Sequence, residues 1–162
     1  IGAIYAGLAR GAYDYALDKV MTATFADTGA PIASSPMHQV LIGEAEQKLI
    51  DVHLWAQRQL LLESSEVEIL PKSEVVKNWR LTKGSVCEGA YEVATLSLKM
   101  CGTSGAVMDN VLGRHLRDTA MGLVQAFPAE RGKLEYAKMV VDGAGTATFT
   151  TMDKPGQGST SS

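Results

Sequence analysis

The sequence predicts an all-α fold, an up-down four-helix bundle with a short extra C-terminal helix. Three observations lead there. Four long stretches repeat apolar residues every three to four positions; connections rich in Gly, Pro and Ser separate them; and no stretch carries a convincing strand alternation. With 162 residues, 46% of them hydrophobic and 20% charged, the chain is one domain's worth and long enough to bury a single sizeable core.

The first helix is expected from residue 1 to about 24, with Ile4, Leu8, Ala12, Tyr15 and Lys19 along one stripe and Arg10, Asp14 and Asp18 along another. Gly2, Ala3, Ala6, Gly7, Ala9, Gly11 and Ala12 crowd its first half, a composition that lets another helix approach closely. Residues 25–36 read as a loop punctuated by Gly29, Pro31 and Pro36, with Ser34 or Ser35 placed to cap the next helix. From 37 to about 64 comes the longest pattern, repeating through Met37, Leu41, Ala45, Leu49, Val52, Ala56 and Leu60 over roughly 40 Å. Its polar residues Gln39, Glu46, Lys48, Asp51 and Arg58 are expected to face water or a partner subunit.

Residues 66–71 interrupt the pattern, since Pro71 disfavours helix at the position before it, and Ser73 can cap a restart. A third helix is expected over 73–100, burying Val75, Trp79, Val86, Ala90, Val93 and Met100. Lys72, Lys77, Arg80 and Lys83 make its early turns basic and read as a solvated face, with contact to a phosphate as the alternative. Gly84 and Gly89 weaken it locally, which a close crossing helix would explain. After a Gly-rich turn, a fourth helix starts at 107 or 109 and runs to 127, with Asp109 or Asn110 placed to cap it. A short fifth comes after Pro128, over 129–141. Residues 1–141 thus form the bundle, and 142–162, rich in Gly, Thr and Ser, read as a flexible tail.

Composition excludes some functions. A formal net charge of −3 argues against general nucleic-acid binding, which needs a basic face. Cys87 and Cys101 lie fourteen positions apart; on one unbroken helix that is roughly 20 Å, too far for a disulfide, so free thiols in a reducing compartment, the cytoplasm, are expected. His38, His53 and His115 show no metal-ligand spacing. No apolar run reaches the length of a membrane span. Ile1-Gly2-Ala3 is not an initiator, and the chain is expected to be a piece of a longer polypeptide.

Chemistry concentrates in KMCGTSGAVMDNVLGRHLRD. Gly102, Thr103, Ser104 and Gly105 form a turn through which backbone N–H groups can approach an anion, and Arg114 and Arg117 on the next helix offer planar bidentate forks. The order of CGTSGA, a spacer, LGRHLRD and an apolar segment resembles the C-terminal helical domain of the acyl-CoA dehydrogenase superfamily. It is most similar to the branch that includes two-component flavin monooxygenases. The resemblance spans residues 1–141 and is strongest over 102–118.

That resemblance implies a flavin, FAD or alternatively FMN, held across a subunit interface by the turn and helix. It matches Gln39 to a family glutamine that can touch flavin. It also implies an acyl-CoA or other small-molecule substrate, an N-terminal helical domain and a middle β-domain outside this chain, and assembly as a homo-oligomer, commonly a dimer of dimers. Two positions depart from the family pattern. Thr22 stands where an R-x-x-F-G text would place a flavin-contacting Arg, and Ala126 stands where many members carry the Glu that removes the α-proton; an alanine cannot accept a proton.

Glu130 and His115 remain as catalytic candidates, each with a structural alternative: Glu130 matches the Glu of the family's G-T-x-E, and His115 lies within the fourth helix. Three functions are open. The chain is the bundle of a flavin enzyme oxidising acyl thioesters with a base from elsewhere, or of a monooxygenase using reduced flavin and oxygen, or it is a non-catalytic assembly subunit.

Overall fold

In the computed structural model, which describes residues 1–107, 109–125 and 127–141, α3 is the element on which the others pack. The chain runs α1 (Gly2–Thr22), α2 (Pro36–Ser64), α3 (Lys72–Cys101), α4 (Val111–Val124) and α5 (Ala129–Val141), with 3-10 turns at Ile32–Ser34 and Gly102–Ala106. Helices α1, α2, α4 and α5 all contact α3. The first four rise and fall in turn and form the bundle, and α5 crosses the end of α3 as the expected short extra helix. The expected tail, 142–162, lies outside the described residues.

Each boundary has a local cause. Ser35 is the N-cap of α2 and Pro36 occupies its first turn, where a missing N–H costs no intrahelical bond. Within the preceding loop, Thr24 and Pro31 form an isolated antiparallel bridge. Of the two cap candidates for α4, Asn110 serves: its side-chain oxygen accepts from the Leu112 N–H at 2.8 Å. The helix therefore begins at Val111, a turn later than the earliest predicted start.

The buried stripe of α3 contains Val75, Val86, Ala90, Val93 and Met100 as predicted, while Trp79 is half-buried. Close crossings explain its glycines. A Cβ on Gly84 would lie 2.9 Å from the Ala129 Cβ, and one on Gly89 would lie 2.6 Å from Val52 Cγ2. Ala45, Leu49 and Val52 carry the α2 side of the core, whereas Met37 and Leu60, at its ends, are exposed.

Two expectations are corrected. The core face of α1 is Tyr5, Ala6, Ala9, Ala12, Tyr13, Ala16 and Val20, rotated by about a residue from the predicted stripe. Ile4 is exposed, and Leu8 and Tyr15 sit at the margin. Four alanines at the contact bring the helices close, and larger side chains are displaced to the rim.

The basic turns of α3 are not a solvated face throughout. Lys72 pairs with Glu63 and Lys77 with Glu74 near the surface, but Arg80 is 1% exposed and Lys83 is 8% exposed. Arg80 pairs with Glu135 of α5, and the Lys83 ammonium donates to the main-chain oxygens of Gly122 and Gln125. Helix α5, seated over Gly84, covers these turns, and charges taken from water there need specific partners.

Candidate functional site

The Gly-rich hinge arises from one backbone conformation. Gly102 ends α3 with φ +61° and ψ −149°, a region open essentially only to glycine. Five residues then coil tightly from Gly102 to Ala106. Gly102, Thr103 and Ser104 are exposed, whereas Gly105 is buried; a Cβ on it would lie 2.9 Å from Cys101 Cβ and 3.2 Å from Leu112 Cδ1.

Asn110 fixes the hinge to two helices. Besides capping α4, its Nδ2 donates to the Ser104 main-chain oxygen at 3.0 Å and to the Tyr15 hydroxyl of α1 at 3.3 Å. The Ser104 hydroxyl donates to the Cys101 main-chain oxygen at 2.8 Å. One amide thereby holds the turn, the start of α4 and α1 in a fixed relation, a role that its N-cap position in the sequence suggested only in part.

Arg114 and Arg117 project from α4 into solvent. Arg114 lies 3.6 Å from Asp118, with both side chains largely exposed, a weak restraint on the guanidinium. Gln39 is exposed in the first turn of α2 and donates from Nε2 to the Ala33 main-chain oxygen at 3.1 Å. Because the helices alternate in direction, Gln39, the hinge and the two arginines share one end of the bundle, on separate elements.

The two catalytic candidates are placed differently. Glu130 is exposed on the first turn of α5, beyond the far end of α4, which separates it from the hinge by roughly 20 Å. His115 is half-buried, and a Cβ on Gly11 would meet its Cε1 at 3.1 Å. Its Nδ1 is buried without a hydrogen-bond partner among the described residues. Burial pushes its pKa below the ordinary 6.5, with Arg114 adding to the fall and Asp118 opposing it. Ala126 lies outside the described residues.

Two open concavities lie away from the hinge: one of about 440 Å³ opens between α1 and α2 beside Arg10, Glu46 and His53, and one of about 270 Å³ lies beside Glu63, Lys72 and Trp79. Burial raises the pKa of both Cys87 and Cys101, which suppresses thiolate chemistry. Among the described residues no group of three or more His, Cys, Asp or Glu is placed to hold a metal, and no helix is long and apolar enough to cross a membrane.

An exposed glycine turn and two solvated guanidiniums match the donor chemistry that an anionic cofactor would need.

Sequence reading missed the Lys83 clamp and the hydrogen bond of 2.6 Å from the Tyr5 hydroxyl to Gln125 Oε1. Together these pin the segment after α4 to α3 and α1. Lys83, four positions after Trp79 and three before Val86, stood on the apolar stripe of its helix, a signal set aside because of its charge, whereas Tyr5 stood one residue off the predicted stripe of α1.

The family described as acyl-CoA dehydrogenase, C-terminal domain, matches residues 1–127. Among solved structures, XiaF from Streptomyces sp. in complex with FADH2 and glycerol is similar with a TM-score of 0.73 at 17% sequence identity, over 87% of this chain and 37% of that chain. The chain therefore spans little more than a third of that protein's length, and at this identity the likeness shows the fold. No curated protein matches the chain.

Proposed function

The chain belongs to the acyl-CoA dehydrogenase C-terminal domain family, and from that membership we propose that it is the helical bundle of a flavin-dependent, dehydrogenase-like oxidoreductase, working as part of a larger protein. The carrying observation is the family match over residues 1–127, which takes in both the exposed hinge and the arginines of α4. XiaF, of the same fold, is described in complex with FADH2, which supports a flavin here, FAD in preference to FMN.

In this reading Gln39, Gly102, Thr103, Ser104, Arg114 and Arg117 face the cofactor, and Gly105 lets the turn pack against α4. The glycine turn offers main-chain N–H groups, and the guanidiniums neutralise phosphate charge. Bound flavin supplies the two-electron chemistry. The bundle binds and orients one edge of it, and further domains or a second subunit close the site and shape the pocket for acyl-CoA or another small molecule. Homo-oligomer formation supplies such a second surface. Free Cys87 and Cys101 accord with a reducing, cytoplasmic setting.

One observation favours a second chemistry. Ala126 cannot remove an α-proton, and Glu130 lies far from the hinge, so oxygen-dependent hydroxylation with reduced flavin, which needs no such base, is the alternative to acyl thioester oxidation.

The test uses the full-length protein. Purified with a visible flavin absorbance, it bleaches on anaerobic addition of acyl-CoA if it is a dehydrogenase. If instead only reduced flavin plus oxygen yields a hydroxylated product, the monooxygenase reading holds. A full-length protein without flavin and without flavin affinity overturns both and leaves an assembly subunit.

A further inference from the structure

The hydrogen bonds of Asn110 leave one donor beside the hinge unspent. Its Oδ1 accepts from the Leu112 N–H at 2.8 Å, a group that can only donate, so the orientation of the amide is forced. Nδ2 then gives one proton to the Ser104 main-chain oxygen at 3.0 Å and the other to the Tyr15 hydroxyl oxygen at 3.3 Å, which uses both. The Tyr15 oxygen is thereby an acceptor, and its own proton points to another partner. Among the described residues the Tyr15 hydroxyl donates to none.

That hydroxyl is held on three sides. Tyr15 is half-buried on α1, packed against the margin of the core. The Lys19 ammonium, one turn further on, lies over its ring, 5.6 Å from the centroid, and steadies the ring from its face. Asn110 holds the oxygen, and the same amide binds Ser104 in the exposed hinge. The free proton is therefore oriented, and it lies at the turn whose main-chain N–H groups are open to a ligand.

We propose that Tyr15 is a ligand-binding residue of the hinge end, donating its phenolic proton to a phosphate oxygen of the cofactor, and that Asn110 is the positioning residue that aims it. The inference rests on the flavin reading above and adds to it a residue that the periodicity of α1 assigns to the apolar stripe. A phosphate oxygen accepts several hydrogen bonds, and an O–H facing an anionic oxygen makes a bond about twice as strong as a neutral one. The hinge and the arginines approach such a group from α3 and α4; Tyr15 approaches it from α1, so that three helices meet at one anion.

Full-length protein stripped of flavin, titrated with FAD and with ADP as a competitor that carries the pyrophosphate without the ring system, tests this. Tyr15→Phe keeps the ring under Lys19 and deletes only the hydroxyl. It should weaken both ligands about tenfold. Asn110→Ser still caps α4 but no longer aims the hydroxyl, and in that background Tyr15→Phe should cost about threefold or less. Unchanged affinities in Tyr15→Phe, whatever its unfolding midpoint does, give the residue a packing role only and overturn the proposal while leaving the flavin reading standing. A loss confined to FAD, or ADP that fails to compete in the wild type, removes the phosphate as acceptor and also overturns it. An equal tenfold loss in the Asn110→Ser background overturns the positioning role of Asn110. A wild-type protein without affinity for FAD overturns the flavin reading itself, and this inference with it.

Discussion

The ammonium of Lys83, midway along α3, lies 2.7 Å from the main-chain oxygen of Gly122, near the end of α4. The last carbonyls of a helix have no intrahelical donor, and here a buried cation supplies one. A second bond, to the Gln125 oxygen at 2.9 Å, extends the clamp past the helix end. The positive charge also sits where the helix dipole favours it.

Lys83→Met retains most of the apolar stem and deletes the donor. The expected cost is about 1–3 kcal/mol, read as a lower urea midpoint at unchanged slope. A midpoint equal to wild type would show that water satisfies those carbonyls equally well.

Four helices were legible because each repeats apolar residues every three to four positions between Gly, Pro or Ser breaks, and the fifth because Pro128 precedes it; those cues are local. The burial of Arg80 was not legible, because it depends on α5 crossing that part of α3, a path that α3's own pattern does not encode; Lys83 stood on the apolar stripe, and its charge pointed away from the burial that the spacing implied. In α1 the alanines carry little hydrophobic weight, so the larger Ile4 and Leu8 drew the predicted stripe off the true contact. In α2 the exposed aliphatic residues Val40, Ile50, Leu54 and Leu61 lie off the core face of Ala45, Leu49 and Val52, and residue type alone does not tell the two sets apart. At the site, the Gly turn and both arginines stand out by residue type. That Glu130 lies beyond the far end of α4 and that His115 turns inward toward Gly11 is set by the length and rotation of α4, which composition cannot give.

Arg80 and Glu135 form an ion pair between α3 and α5 in which the arginine is almost wholly buried. Its guanidinium also lies over the Phe127 ring, 6.0 Å from the centroid. Glu135→Leu leaves that cation without its carboxylate and should cost about 3 kcal/mol. Combining it with Arg80→Met should recover much of the loss, since an apolar pair carries no desolvation penalty. Chemical unfolding of the single and double variants checks this; additive losses would refute it.

His115 gives stability a pH dependence of known sign. Its folded pKa lies below the ordinary 6.5, so near and below that pH the unfolded chain binds more protons than the folded one. Stability is therefore full above the unfolded pKa and falls as pH drops below it toward the folded value. His115→Gln should flatten that part of the profile, measured as unfolding free energy between pH 7 and pH 5 (about the range of an unperturbed histidine). An equally steep fall in the variant would assign the effect to other groups.

Gly102 separates the structural from the cofactor role of the hinge. At φ +61° and ψ −149° an L-residue is strained, although nothing lies within 4 Å of a Cβ placed there. Gly102→Ala should therefore destabilise by about 1–3 kcal/mol through backbone strain alone. Arg117→Ala changes an exposed side chain and should leave stability within about 0.5 kcal/mol. If the hinge end meets a flavin, both variants of the full-length protein retain less of it on dialysis, but only Gly102→Ala lowers the unfolding midpoint. Unchanged flavin retention in Arg117→Ala and in the matching Arg114→Ala would remove the arginines from the cofactor site, and with them the electrostatic basis for placing the cofactor at this end.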